Sequence, residues 1–290
     1  MDEKILYWNE RGLIPGPDET EEQYRQRVEY CLKLDQEISN NLPFRETDKG
    51  AQSVLEESFA RTKKEYDIAP DWIPLFFSDY QLTLWHGGCA WIFQVDIHSP
   101  TAALLQLRKA FQTSQKYLKI YDRTELISHE LAHVGRMAFN EPKFEEFHAY
   151  KSSASRFRRW FGPIVQSSKE SVYFVLMLIL IFILDVSFIA LENHNLYTFS
   201  MWIKIIPIAF ILWGLTRLTL RHSQYDRCLA ALKQFIKDET KAKAVIYRLT
   251  DKEITSLGKM TKDQISKYIN NQQAISFRWK VLSQSYFILK

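Results

Sequence analysis

Cysteine is scarce: the three in this 290-residue chain, Cys31, Cys89 and Cys228, lie far apart and show no C-x-x-C spacing. That argues against a disulfide framework and a thiolate zinc site, and it fits a reducing compartment. An excess of one charge is missing too. Lys plus Arg number 38 against 34 for Asp plus Glu, a net charge of +4, so no nucleic-acid partner is expected. Low-complexity sequence and internal repeats are absent, and with 46% hydrophobic and 25% charged residues disordered and collagen-like chains are excluded. Met1 to Glu10 carries acids and no apolar stretch, so no cleaved secretory signal is expected, and the region before the first apolar run is expected to stay in the cytosol.

What is present includes two long apolar runs. Ser171–Leu191 reads SVYFVLMLILIFILDVSFIAL with a single charge, and at ~1.5 Å per residue it spans the ~30 Å hydrocarbon core of a bilayer. Met201–Leu220 is similar in length, interrupted by Lys204, Pro207 and Gly214. The short connection, Glu192 to Ser200, predicts a helical hairpin, with transmembrane helices over 171–191 and 201–220. Lys151, Arg156, Arg158, Arg159 and Lys169 precede it and Arg217, Arg221 and Arg227 close it, whereas the connection has no Lys or Arg. Both termini are therefore expected in the cytoplasm. Trp160, Phe161, Tyr197, Phe199, Trp202 and Trp213 supply aromatic belts. Asp185 and Lys204 are expected to face each other, because isolated charges in a bilayer are costly.

Residues 1–165 are long enough for one domain, and 221–290 read as a helical cytosolic tail. Thr20-x-x-Gln23 resembles a capping box opening a helix with Tyr24, Val28, Cys31 and Leu32 on one face. A second helix is expected over Ala51–Tyr66. Leu82 and Leu84, then Cys89, Trp91, Phe93 and Val95, alternate on either side of Gly87-Gly88 and predict a hairpin. Ser99-Pro100 reads as the start of a helix through Leu104, Leu105, Leu107 and Phe111, and Asp122 as the cap of another. Phe144 to Arg159 reads helical, as do Tyr225–Tyr247 and Lys262–Asn270. The expected fold class is α+β, mainly helical.

The chemistry lies in His129-Glu130-Leu131-Ala132-His133, an H-E-x-x-H. Residues four apart on a helix share a face, so the two imidazoles can share one tetrahedral metal. Glu130 stands one step round, beside the metal, where it can take a proton from activated water. Zn²⁺ needs a third protein ligand. Downstream candidates are Glu141, Glu145, Glu146 and His148; Glu146 is preferred, with Glu145 and His148 as alternatives. His86 and His98 stand alone and read as structural. Arg136 is expected to pair with a carboxylate of the returning helix.

These residues resemble a zincin metallopeptidase of the gluzincin type, in which H-E-x-x-H is completed by a Glu from the next helix; Glu146 to Ala149 is similar to that third-ligand E-x-x-A. The likeness covers about 25 residues. Two features depart from it: the interval of thirteen residues from His133 to Glu146 is short, and Gly135 follows Val134 where a large apolar residue is usual. Arg136 and Phe139 exclude a metzincin. The resemblance implies a zincin-like cytosolic domain, a zinc cofactor, a protein or peptide substrate, and a substrate-pairing edge strand at Gly88, Cys89 and Ala90. The whole arrangement also resembles uncharacterised bacterial, chlamydial inner-membrane proteins, a likeness that carries no known activity. An intramembrane protease is disfavoured, because His129 lies about 40 residues before Ser171 among charged neighbours. The competing reading is a non-enzymatic membrane scaffold with a structural H-E-x-x-H helix and two spans in the lipid bilayer.

Overall fold

The computed structural model describes residues 2–41, 51–96 and 99–287, and His98 lies outside them. The described chain is mainly helical. Helix α1 spans Glu3–Glu10, and α2 spans Glu21–Asn41. The α2 start is the capping box read from the sequence: Gln23 N donates to Thr20 Oγ1 (3.2 Å) and Thr20 N to Gln23 Oε1 (3.0 Å). Tyr24, Val28 and Cys31 are buried, while Leu32 is exposed and Leu34 takes its place in the core. The helix expected over Ala51–Tyr66 is two, α3 (Ala51–Glu56) and α4 (Phe59–Tyr66), parted where the Ser58 hydroxyl turns back on Leu55 O at 2.6 Å.

Strands β1 (Leu75–Phe77), β2 (Gly88–Phe93) and β3 (Ala102–Leu107) form one sheet in the order β1-β3-β2, with β1 parallel and β2 antiparallel to β3. Two expectations are corrected here. Leu82 and Leu84 lie in a loop, and β2 instead forms its hairpin with β3, Gly88 opposite Leu107 and Phe93 opposite Ala102. The helix read through Leu104 to Phe111 is β3 followed by a short 3₁₀ turn, Lys109–Gln112. As the central strand, β3 is covered on both faces, so Ala-Ala-Leu-Leu-Gln-Leu lacks the alternation that marks a half-exposed strand.

A small ribbon, β4 (Lys116–Tyr117) and β5 (Tyr121–Asp122), leads into α5 (Arg123–Gly135), which Asp122 caps by accepting from Glu125 N at 3.1 Å. Next come α6 (Glu145–Lys151) and α7 (Arg156–Phe161), where one helix is expected from the sequence; Ser155 caps the second. The apolar hairpin is α8 (Ser168–Ala190), α9 (His194–Ile203) and α10 (Ile205–Leu232). Two helical stretches, Lys169–Ala190 and His194–Leu232, of 22 and 39 residues, are long and apolar enough to cross a membrane.

The second stretch differs from the expected 201–220. It begins at His194, and Lys204 interrupts it because Pro207 has no N–H to offer the Ile203 carbonyl. Lys204 Nζ lies 2.7 Å from Asp185 Oδ2, and the Ser200 hydroxyl donates to Asp185 Oδ1 at 2.6 Å.

Beyond the apolar run, α10 continues as a core helix, with Leu218, Tyr225, Cys228 and Leu232 buried. The expected Tyr225–Tyr247 helix is thus the end of α10 and a separate α11 (Glu239–Tyr247), followed by α12 (Asp251–Leu257), α13 (Lys262–Ile275) and α14 (Phe277–Tyr286). These tail helices pack on the N-terminal region. Arg248 donates to Asn9 Oδ1 (2.9 Å) and Tyr66 O (2.7 Å), and the Tyr247 hydroxyl donates to Ala132 O (2.6 Å) on α5.

That last contact explains Gly135. A Cβ there would stand 2.3 Å from the Tyr247 hydroxyl, so the residue after Val134 is small because the tail occupies its side-chain space. Gly135→Ala should lower the thermal unfolding midpoint in detergent, at a cost of ~1–3 kcal/mol. Adding Tyr247→Phe, which removes the clashing oxygen, should recover part of the loss. Additive losses would rule out this contact as the cause.

Candidate metal centre

Helix α5 lies under β2, and its H-E-x-x-H face meets α6 returning from the loop after Gly135. The loop turns at Asn140, whose φ of 48° is a conformation Asn tolerates better than most residues. It delivers the start of α6 to the two imidazoles. His129 Nε2 and His133 Nε2 stand 3.4 Å apart; His129 Nε2 lies 3.6 Å from Glu146 Oε2 and His133 Nε2 3.7 Å from Glu146 Oε1. The three residues form a group that could hold a metal ion. Zinc ligands at ~2.0–2.1 Å in a tetrahedron stand ~3.3 Å from one another; the imidazole pair at 3.4 Å matches such an edge, and the two Glu146 oxygens each face one ring, so that one of them must turn towards both to complete the set.

Glu145 has a different position from Glu146. Its Oε1 lies 3.0 Å from His133 Nδ1, and its Oε2 accepts from Arg136 Nε at 3.1 Å. Holding the proton on Nδ1 directs the Nε2 lone pair at the cluster. Arg136 also donates to Tyr247 O and Leu249 O, so the tail fixes the orientation of the acid that orients His133. His148 is buried among Phe144, Phe147, Tyr225 and Tyr247, outside this group. Glu141 caps the tail instead, accepting from Asp251 N at 2.9 Å. His86 lies in the loop before β2, with Nδ1 3.0 Å from Thr83 Oγ1.

Burial and the neighbouring His133 hold the His129 imidazole down at about 3, which keeps it neutral. Burial lowers His133 as well, but the hydrogen bond and charge of Glu145, with Glu130 and Glu146, outweigh it and raise the group to about 9. Burial pushes Glu130 up to about 7, opposed by the charge of His133 and the hydrogen bond from Ala90 N. Glu146 is raised, again mainly by burial.

The Ala90 N–H donates to Glu130 Oε2 at 2.8 Å, which places β2 directly over the H-E-x-x-H helix. Arg108 N donates to Gly87 O, and with the antiparallel alternation this leaves the backbone groups of Gly88, Ala90 and Ile92 on the unpaired edge. Between that edge and the loop after α5 lies a cavity of about 530 Å³, lined by Cys89, Ala90, Ile92, Glu130, His133, Met137 and Glu145, among others. Burial raises the Cys89 thiol to about 11, so it lines the cavity as a neutral group.

One residue at the site is assigned no role from the sequence. The Tyr150 ring packs edge-on against His129, with centroids 4.8 Å apart. Its signal is the spacing from Glu146, four residues along α6 and so on the same face. Comparison with protein-family models, curated proteins and solved structures finds no match. The chemistry of the centre is read from its own geometry.

Proposed function

We propose that the protein is a membrane-anchored zinc endopeptidase of gluzincin type, with both flanking regions and the metal centre on the cytoplasmic face of a bacterial inner membrane. The observation that carries this reading is the convergence of one donor atom each from His129, His133 and Glu146 to within 4.8 Å of one another, the two imidazole nitrogens standing 3.4 Å apart. His129, His133 and Glu146 would hold the ion. When bound, zinc supplies a Lewis acid that acidifies water and polarises a carbonyl.

Glu130, one step round the helix from the ligands, accepts a proton from the attacking water and delivers it to the leaving amine. The Ala90 N–H orients its carboxylate for this exchange. An extended peptide lies along β2, pairing with the outward backbone groups of Gly88 and Ile92 by strand addition while the Ala90 N–H stays on Glu130, with Cys89 and Ala90 bordering its path. The basic residues flanking the hairpin, and their absence between the spans, support the orientation.

The test is metal analysis of the purified chain beside His133→Ala. Stoichiometric zinc in the former and none in the latter is expected. A wild-type chain that takes up no zinc when the metal is supplied would overturn the reading in favour of a non-enzymatic scaffold.

A further inference from the structure

Helix α7 and the β4–β5 turn form one exposed surface with unusual composition. Phe157 and Trp160 are 68% and 39% exposed, and Leu118 and Ile120 are 53% and 59% exposed. Lys119 and Arg156 stand exposed beside them. Neither Thr113 to Tyr121 nor Ser155 to Lys169 contains an acid. The two elements are joined by Arg158, which donates to Ile120 O at 2.8 Å and to Glu125 Oε1 at 3.1 Å. Leu118 and Lys119 have φ values of 50° and 59°, a tight turn that leaves the apolar tips outward.

The height of this surface is set by α10. Ile164 packs on Gly214 inside the apolar run, and Arg217 donates to Ile164 O at 2.9 Å. Trp160 stacks on His222, centroids 5.1 Å apart, and its carbonyl lies 3.1 Å from His222 Nε2. His222 is eight residues beyond Gly214, or ~12 Å along the helix. With the span starting at His194, ~20 residues of helix cross the ~30 Å hydrocarbon, so on the membrane reading His222 falls at the headgroup layer.

We infer that α7 and the β4–β5 turn seat in the anionic headgroup layer of the membrane that the protein's own hairpin crosses, and so hold the metal centre at the lipid surface. Apolar tips among exposed cations match the acyl boundary and lipid phosphates respectively. The metal centre follows because Tyr150 connects the two places. Its ring touches His129 on one side and, on the other, lies where a Cβ on Gly162 would be only 2.2 Å from it. A single aromatic ring therefore separates a ligand imidazole from the segment that enters the bilayer.

The inference rests on the membrane-anchored part of the proposal and is independent of the zinc chemistry. Its test uses the full chain reconstituted in phosphatidylcholine vesicles, with and without phosphatidylglycerol. Spin labels are placed singly at Leu118→Cys, Ile120→Cys and Phe157→Cys. Phe182→Cys within α8 and Ile275→Cys on α13 serve as the lipid and water references, with the parent chain's own labelling subtracted. Labels at 118, 120 and 157 should be more accessible to oxygen than to a water-soluble nickel complex, several-fold relative to Ile275→Cys, and more so with phosphatidylglycerol. If Phe182→Cys reads as lipid while all three read as water, the inference is overturned and the anchoring stands. Closure of the three to both reagents also overturns it, since a second copy then covers the surface. If Phe182→Cys itself reads as water, the membrane reading falls and this inference with it. Zinc content of the same samples reports on the peptidase reading alone.

Discussion

Glu130→Gln is expected to retain zinc at the wild-type level while kcat for peptide hydrolysis falls by ~10²–10⁴, the usual contribution of a positioned general base. The substitution is nearly isosteric, and the amide oxygen can still accept from Ala90 N, so the β2–α5 contact at 2.8 Å survives. What disappears is the capacity to carry a proton. Glu130 is absent from the group of donor atoms that converge on one point, His129, His133 and Glu146, so metal binding should not depend on it. The decisive comparison is with His129→Ala: if both variants lost zinc equally, Glu130 would be a ligand and its assignment as base would be wrong.

Glu146→Ala and Glu145→Ala should separate by effect on the metal. The first removes a donor whose two oxygens lie 3.6 and 3.7 Å from the imidazole nitrogens, and zinc should be lost on dialysis against a mild chelator. The second removes the acid on His133 Nδ1, and affinity should fall by ~10–100-fold, as for other partners of metal-ligating histidines. The sequence offers Glu145 as an alternative to Glu146 for the third ligand, and the hydrogen bond gives it another place, on His133 Nδ1. Glu145→Ala also takes the charged partner from the buried Arg136 guanidinium, leaving it the carbonyls of Tyr247 and Leu249. Competition against a chelator of known affinity reads both variants on one scale. Equal retention of zinc by the two would sink the choice of Glu146.

Local rules were enough for several elements. The Thr20/Gln23 box, the Asp122 cap and the four-residue spacing of His129 and His133 are properties of short stretches of helix, so they could be read before any packing was known. The two apolar runs are equally local, because length and lack of charge alone define them. Their details were not, since Pro207 interrupts the second helix at Lys204 and α10 carries on to Leu232 as part of the core.

Tertiary structure decided the remainder. Adjacent acids on α6 differ by 100° around the helix axis, and which of them faces the imidazoles depends on how the loop through Asn140 sets α6 against α5. Strand β3 carries no alternation in its sequence because it is buried on both faces, and the pattern alone suggests a helix there. Gly135 looked like a departure from the pattern until Tyr247, more than a hundred residues away, was found in the space above it. The sequence by itself determined that two histidines and a glutamate share one helix ahead of two apolar runs long enough to cross a membrane, because those are short-range and compositional facts. Only the fold determined that Glu146 stands with the two imidazoles, that Glu145 bonds to both His133 and Arg136, and that Tyr150 lies between His129 and Gly162, because each requires contacts between segments whose spacing carries no local signal.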